Sequence, residues 1–181
     1  MEKLVFEQLK SELVNGSVKK GHPFRYFSLA TVNTNAQPQL RTVVLRKVDV
    51  DLNLLFYTDR RSQKIEQLLG NDQVAALFYN PKKLLQLQIK GQAFLLKDEQ
   101  TLKSLWSGIP SNSRKDYTTE HAPGTLIKNP DQIDYLNDEN HFCAIKIIPN
   151  EIEYLRLKRP NHLRVLFQKK NQDWQSDFLV P

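Results

Sequence analysis

The chain has 181 residues, 40% hydrophobic and 25% charged, with a formal net charge of +6 and an isoelectric point near 9.4. These values fit a single domain over residues 1 to 181 and exclude a disordered chain or a fibrous repeat. The lone Cys143 excludes an internal disulfide, and its place in the apolar run "FCAIKII" reads as a buried, inert thiol.

The N-terminal segment "MEKLVFEQLKSELVNG" mixes apolar and charged residues at helical spacing, which fits neither a signal peptide nor a membrane span. It predicts an amphipathic helix over about residues 2 to 15, stopped by Gly16, and a cytoplasmic protein with no membrane partner. "RYFSLATVN" (25 to 33) and "QLRTVVLRKV" (39 to 48) then read as a hairpin across the turn-rich "TNAQP", with "NLLFYT" (53 to 58) as a third strand. A short helix over about residues 60 to 69 follows, with Asp59 as its N-cap and Gly70 at its exit.

"QVAALFYN" (73 to 80) is apolar nearly throughout, as in a strand covered on both faces, and "LLQLQIKGQAFLL" (84 to 96) alternates strictly. "DEQTLKSLWSGIP" reads as helical up to Gly108. After the polar excursion "SNSRKDYTTEHAPGTLI" come four strand-like runs: 142 to 148, 151 to 157, 162 to 168 and 174 to 180. Many short strands and few helices predict a mainly β protein, an antiparallel β-barrel with flanking helices.

Common catalytic signatures are missing. There is no G-x-G-x-x-G, P-loop or G-x-S-x-G, and His22, His121, His141 and His162 fall in no metal-ligand spacing, so no metal is expected. What stands out is a concentration of cations. Arg60, Arg61 and Lys64 crowd the start of the expected helix, where the dipole already favours an anion. Arg41 on the preceding strand is placed to close the same pocket with a guanidinium fork suited to phosphate. By alternation Arg41, Val43 and Leu45 share one strand face, and Thr42, Val44 and Arg46 the other. One ligand meets both arginines only if the strand bulges or the ligand spans its end. From charge alone, solubilising residues at strand and helix ends remain an open alternative.

The segments "LATVNTNAQPQLRTVVLR", "LLFYTDRRSQK", "LLQLQIKGQA", "LWSGIPSNSR" and "HLRVLFQKKNQDWQSDFLVP" resemble, in order and spacing, successive motifs of the pyridoxamine 5'-phosphate oxidase-like family of FMN-binding split barrels. The resemblance runs from about residue 24 onward. It implies an antiparallel split barrel, FMN as cofactor, oxidoreductase chemistry on a small molecule, and a homodimer with FMN between the subunits.

Carried over residue by residue, the resemblance assigns FMN to Arg41, Thr42, Val43, Val44, Leu45 and Arg46, to Tyr57 and Thr58, to Arg61, Ser62, Gln63 and Lys64, and to Gln86 and Arg164. Substrate contacts fall on Ser113, Arg114 and His162. The chain departs from the pattern at the substrate-phosphate site: Arg46 stands for a Lys, while Leu105 and Ile109 stand for a Tyr and an Arg. Pro160 replaces the Arg paired with His162, Gln63 stands where an Arg is common, and Tyr154 or Leu155 replaces a Trp. The pattern resembles a divergent branch in which pyridoxamine phosphate is not the expected substrate. No residue presents itself as a general base. Two other readings are FMN held without turnover and a basic barrel binding single-stranded nucleic acid. Phe27, Phe56, Phe78 and Phe142, all in apolar runs, argue against the second.

Overall fold

Alternating strands that bury every second residue must close on themselves or on a helix. In the computed structural model, which describes residues 1–137, 139–171 and 173–181, they do both. Helix α1 (Glu2–Val18) leads into β1 (Tyr26–Val32), β2 (Pro38–Val44), β3 (Lys47–Val48) and β4 (Leu54–Asp59). Helix α2 (Gln63–Gly70), β5 (Gln73–Asn80), β6 (Leu85–Leu95), α3 (Glu99–Ser107) and α4 (Ser111–Arg114) follow. The chain ends with β7 (Phe142–Arg156), β8 (Leu163–Lys170) and β9 (Asp173–Leu179).

All ladders among the described residues are antiparallel, in the order β2-β1-β5-β6-β7-β4-β3, with β8 and β9 added beyond β7. The end strands β2 and β3 are successive pieces of one stretch of chain, split at Leu45–Arg46. There the Leu45 amide donates to Arg25 O (2.9 Å) and the Arg46 amide to Leu55 O (2.8 Å). The sheet is therefore an open, mainly antiparallel barrel whose ladder is interrupted at that corner. Its interior holds Phe27, Leu29, Phe56, Phe78, Leu87 and Ile89, each at most 2% exposed, with Leu9 and Leu13 of α1 and Ile65 and Leu68 of α2 covering them.

Four expectations need correction. Gly16 does not stop α1, which runs on to Val18. A Cβ at Gly16 would sit 2.7 Å from Phe24 Cβ and from Phe24 O, so glycine here permits close packing. Helix α2 begins at Gln63 with Ser62 as N-cap, not at residue 60 with Asp59. Gly70 lies inside α2, and Asn71 caps it. The runs 142 to 148 and 151 to 157 form one 15-residue strand: Pro149–Asn150 is a bulge opposite Gly91, not a turn. Gly91 is required there, since a Cβ would lie 2.2 Å from Ile148 O. No helix of the described residues is long and apolar enough to cross a membrane.

Candidate functional site

Strand β1 points Thr31 inward, and β2 points Arg41 inward beside it through the unbroken β1–β2 register. Helix α2 lays Gln67 over the same barrel mouth. Thr31 Oγ1 donates to Gln67 Oε1 (2.5 Å), while the Arg41 guanidinium donates to Thr31 Oγ1 (2.5 Å) and Gln67 Oε1 (2.9 Å). From the first turn of α2, the Lys64 ammonium donates to Thr58 Oγ1 (2.8 Å) and Ser62 Oγ (3.1 Å).

Both cations are half-buried, and neither pairs with a carboxylate among the described residues. Burial pushes the Arg41 pKa down. Lys64 is also pushed down, first by burial and then by the charge of Arg41, which places the two cations within electrostatic reach of each other. Ser62 gives α2 no side-chain cap; its hydroxyl donates to Asp59 O (2.8 Å) instead. Two desolvated cations and a helix start without a side-chain cap are an arrangement chemically suited to an anion.

The other cations of this segment are committed elsewhere. Arg61 grips buried Asp59 (2.8 Å) and the carbonyls of Thr119 (2.8 Å) and Glu120 (2.7 Å). Arg60 reaches Phe142 O (3.3 Å). Arg61 is thus paired with Asp59, Arg60 turns to the Phe142 carbonyl, and Gln63 is exposed.

Arg46 points away from Arg41, as alternation requires. Its guanidinium lies 5.3 Å from the Tyr57 ring centroid, beside an apolar cluster of Ile109, Tyr117, Phe142 and Ala144 packed with Leu105 and Trp106. Its Nε is buried without a hydrogen-bond partner. Val43 and Leu45 belong to the core, Val44 is half-buried and Thr42 exposed.

Gln86 and Arg164 occur in one row on the outer sheet face, through the pairs Tyr79–Gln86, Gln86–Leu155 and Leu155–Arg164. Arg164 pairs with Glu153 (3.0 Å), and its Nε is buried and unpartnered. Neither side chain bonds to the Arg41–Lys64 group. Ser113 is half-buried, and Arg114 stacks 5.2 Å from the Trp106 ring and donates to Ile109 O (3.0 Å) and Ser107 O (3.1 Å) near the end of α3. His162 is exposed, its Nδ1 held at the Lys158 backbone. Sequence reasoning missed Thr31 and Gln67. The available signal was a polar residue on the inward period of β1 and another on the apolar face of α2.

The class the fold defines is an open, antiparallel split barrel with flanking helices, here with two cations where β4 leads into α2. The particular family is given by comparison: residues 4–97 match the family model described as pyridoxamine 5'-phosphate oxidase, FMN-binding domain. The chain belongs to this family, and its cofactor is FMN. It is 29% identical over 167 residues to the pyridoxine/pyridoxamine 5'-phosphate oxidase of Legionella pneumophila strain Paris, covering 84% of this chain and 76% of the relative. A pyridoxamine 5'-phosphate oxidase-related, FMN-binding protein of Nostoc punctiforme PCC 73102 superposes with a TM-score of 0.79 at 24% identity, covering 97% of each chain. PhzG of Burkholderia lata 383, solved with tetrahydrophenazine-1-carboxylic acid, superposes with a TM-score of 0.80 at 20% identity, covering 98% of this chain and 92% of its own. At these identities the two structures speak for the fold.

Proposed function

We propose that the protein is a cytoplasmic, homodimeric FMN-dependent oxidoreductase acting on a small molecule. The FMN phosphate is held by Arg41 and Lys64 with Thr58 and Ser62, and Gln86 and Arg164 are contributed by a second copy. The observation that carries this reading is the pair of desolvated cations, Arg41 and Lys64, whose side-chain partners are neutral, in a chain of an FMN-binding family. Bound FMN supplies the electron-transfer chemistry. The chain's part is to neutralise the phosphate, fix its orientation and shield it from water.

The dimer is supported by the separation of the two groups. Ala75 of β5 pairs with Ala30, next to Thr31, whereas Tyr79 pairs with Gln86 four residues further on, roughly 14 Å away and on the outer face. Leu77 and Tyr79 on that outer face are 41% and 49% exposed, an apolar surface that a second copy would cover. Leu105 and Ile109, where the resemblance expects a Tyr and an Arg, bring a substrate phosphate neither hydroxyl nor cation of their own. This favours a substrate other than pyridoxamine phosphate. The buried rings of Phe27, Phe56, Phe78 and Phe142 leave nothing for nucleic-acid bases to stack on at those positions.

The test begins with the absorbance spectrum of freshly purified protein and a titration with FMN. Wild type binds FMN, and Arg41→Ala and Lys64→Ala each weaken binding by about 1.5 to 3 kcal/mol, the worth of a charge-assisted contact. Full affinity in both variants would remove the phosphate from this mouth of the barrel. Sedimentation analysis tests the dimer. Reduction by added donors and the rate of reoxidation separate turnover from FMN held without chemistry.

A further inference from the structure

At the opposite mouth of the barrel, Gln8, Ser11 and Glu12 of α1 face Lys83, Tyr154 and Arg156 across a cavity of about 310 Å³. This mouth is distinct from the Arg41–Lys64 group. Asn80, which anchors it, lies five residues along β5 from Ala75, roughly 17 Å away.

Donor and acceptor bookkeeping around the cavity does not balance. Glu12 is only 6% exposed, and both its oxygens are engaged: one by the Lys83 ammonium, the other by Asn80 Nδ2 (3.3 Å) with His22 Nε2 at 3.6 Å. Burial pushes the His22 pKa down, so this imidazole adds little positive charge near neutral pH. Lys83 thus cancels Glu12, and Arg156 is left without a carboxylate among the described residues. The Tyr154 hydroxyl, on a residue 1% exposed, finds its acceptor only at 3.4 Å, on Gln8 Oε1, which is long for an O–H donor. Ser11 and the Gln8 amide add further donors. A pocket with several donors and one guanidinium that has no carboxylate among the described residues is complementary to an acceptor-rich anion.

We propose that this cavity binds a phosphate-class anion, either inorganic phosphate or a small phosphate monoester, on Arg156, Tyr154, Lys83 and Ser11. A tetrahedral group has oxygens for donors on three walls at once, namely α1, the β5–β6 turn and β7. Such a ligand ties α1 to the strands beneath it and stabilises the fold by mass action.

The test is calorimetric titration of the FMN-saturated full chain with inorganic phosphate and with glycerol 3-phosphate, at ionic strength held constant with chloride. The proposal expects saturable binding at one site per chain, weakened at least tenfold by Arg156→Gln and by Tyr154→Phe. Lys64→Gln, assayed without FMN, keeps it. Tighter binding of glycerol 3-phosphate assigns the site to a monoester, and tighter binding of inorganic phosphate to the free ion. Unchanged affinity in Arg156→Gln, absence of saturable binding, or loss on Lys64→Gln instead would each overturn it. Arg156 is exposed, so its replacement decides the matter even if Tyr154→Phe disturbs folding.

Discussion

The two mouths of the barrel pose the same architectural problem and solve it with opposite electrostatics. Each is covered by a helix that reaches an inward strand residue through a polar side chain, Glu12 to Asn80 under α1 and Gln67 to Thr31 under α2. Under α1 the buried charge is a carboxylate, and Lys83 neutralises it on the spot. Under α2 the half-buried charges are Arg41 and Lys64, and among the described residues hydroxyls, an amide and the Leu29 carbonyl (3.4 Å) are what the chain offers them. Self-neutralised charge such as Glu12–Lys83 serves the fold; charge without a carboxylate, Arg41 and Lys64 under α2 and the exposed Arg156 beside α1, points to a ligand.

The largest effect that sharpens this contrast is expected at the last turn of α1. Gly16→Ala drives a Cβ to within 2.7 Å of the Phe24 backbone oxygen, and Phe24 is itself fully buried against Phe78 (5.2 Å). Neither neighbour is a flexible side-chain tip, so the helix must lift. Chemical denaturation should show a loss of about 3 kcal/mol. Wild-type stability in this variant would mean that α1 is loosely seated and that its polar cluster says little about structure.

Next in size is a titration at the α2 mouth. Cys143 pairs with Thr58 in the β4–β7 ladder, and burial pushes its thiol from 9.0 up to about 11. The unfolded chain therefore ionises first. Stability from this group is complete below the unfolded value of 9.0 and is lost as pH rises toward about 11. The loss amounts to about 2 to 3 kcal/mol. Denaturation midpoints across that window should fall in wild type and stay flatter in Cys143→Ala.

Much of this architecture was legible in the sequence because period-two burial is a local signal. It placed Arg41 and Arg46 on opposite faces; the β1–β2 register holds Arg41, and Arg46 lies just past the break, bonded to Leu55 O. What was not legible depends on distant partners. Asp59 looks like an N-cap, yet its carboxylate takes the Arg61 amide (2.8 Å) and guanidinium, and the helix starts later at Gln63. Arg60 and Arg61 look free until residues 119–120 and 142 bring carbonyls to them. Pro149 looks like a strand end because nothing local reveals that Gly91, far away in sequence, leaves room for a bulge.

A smaller effect separates the mouths by proton linkage to the ligand. The Lys64 pKa lies below its usual 10.5, through burial and then through the Arg41 charge, whereas a bound phosphate restores the ammonium. FMN binding should therefore take up a proton in the window below 10.5, and affinity should fall as pH rises through it. In the free protein the sign reverses: this group's contribution to stability rises with pH up to the unfolded value. The two titrations at this mouth thus oppose each other, and FMN dissociation constants should be measured in the Cys143→Ala background. Lys64→Gln should flatten the profile.

The smallest expected effect is the counterpart of the largest. Gly70 also lies within the last turn of its helix, but a Cβ there would meet nothing within 4 Å. Gly70→Ala should therefore gain helix propensity and lose unfolded-chain entropy, stabilising the protein by up to about 1 kcal/mol. FMN affinity should stay unchanged, because Lys64 and Arg41 keep their positions. If the substitution instead weakened FMN binding, the C-terminal end of α2 would have to move when the cofactor enters. The α2 mouth would then be a hinged cover, while α1, clamped at Gly16, remained the fixed one.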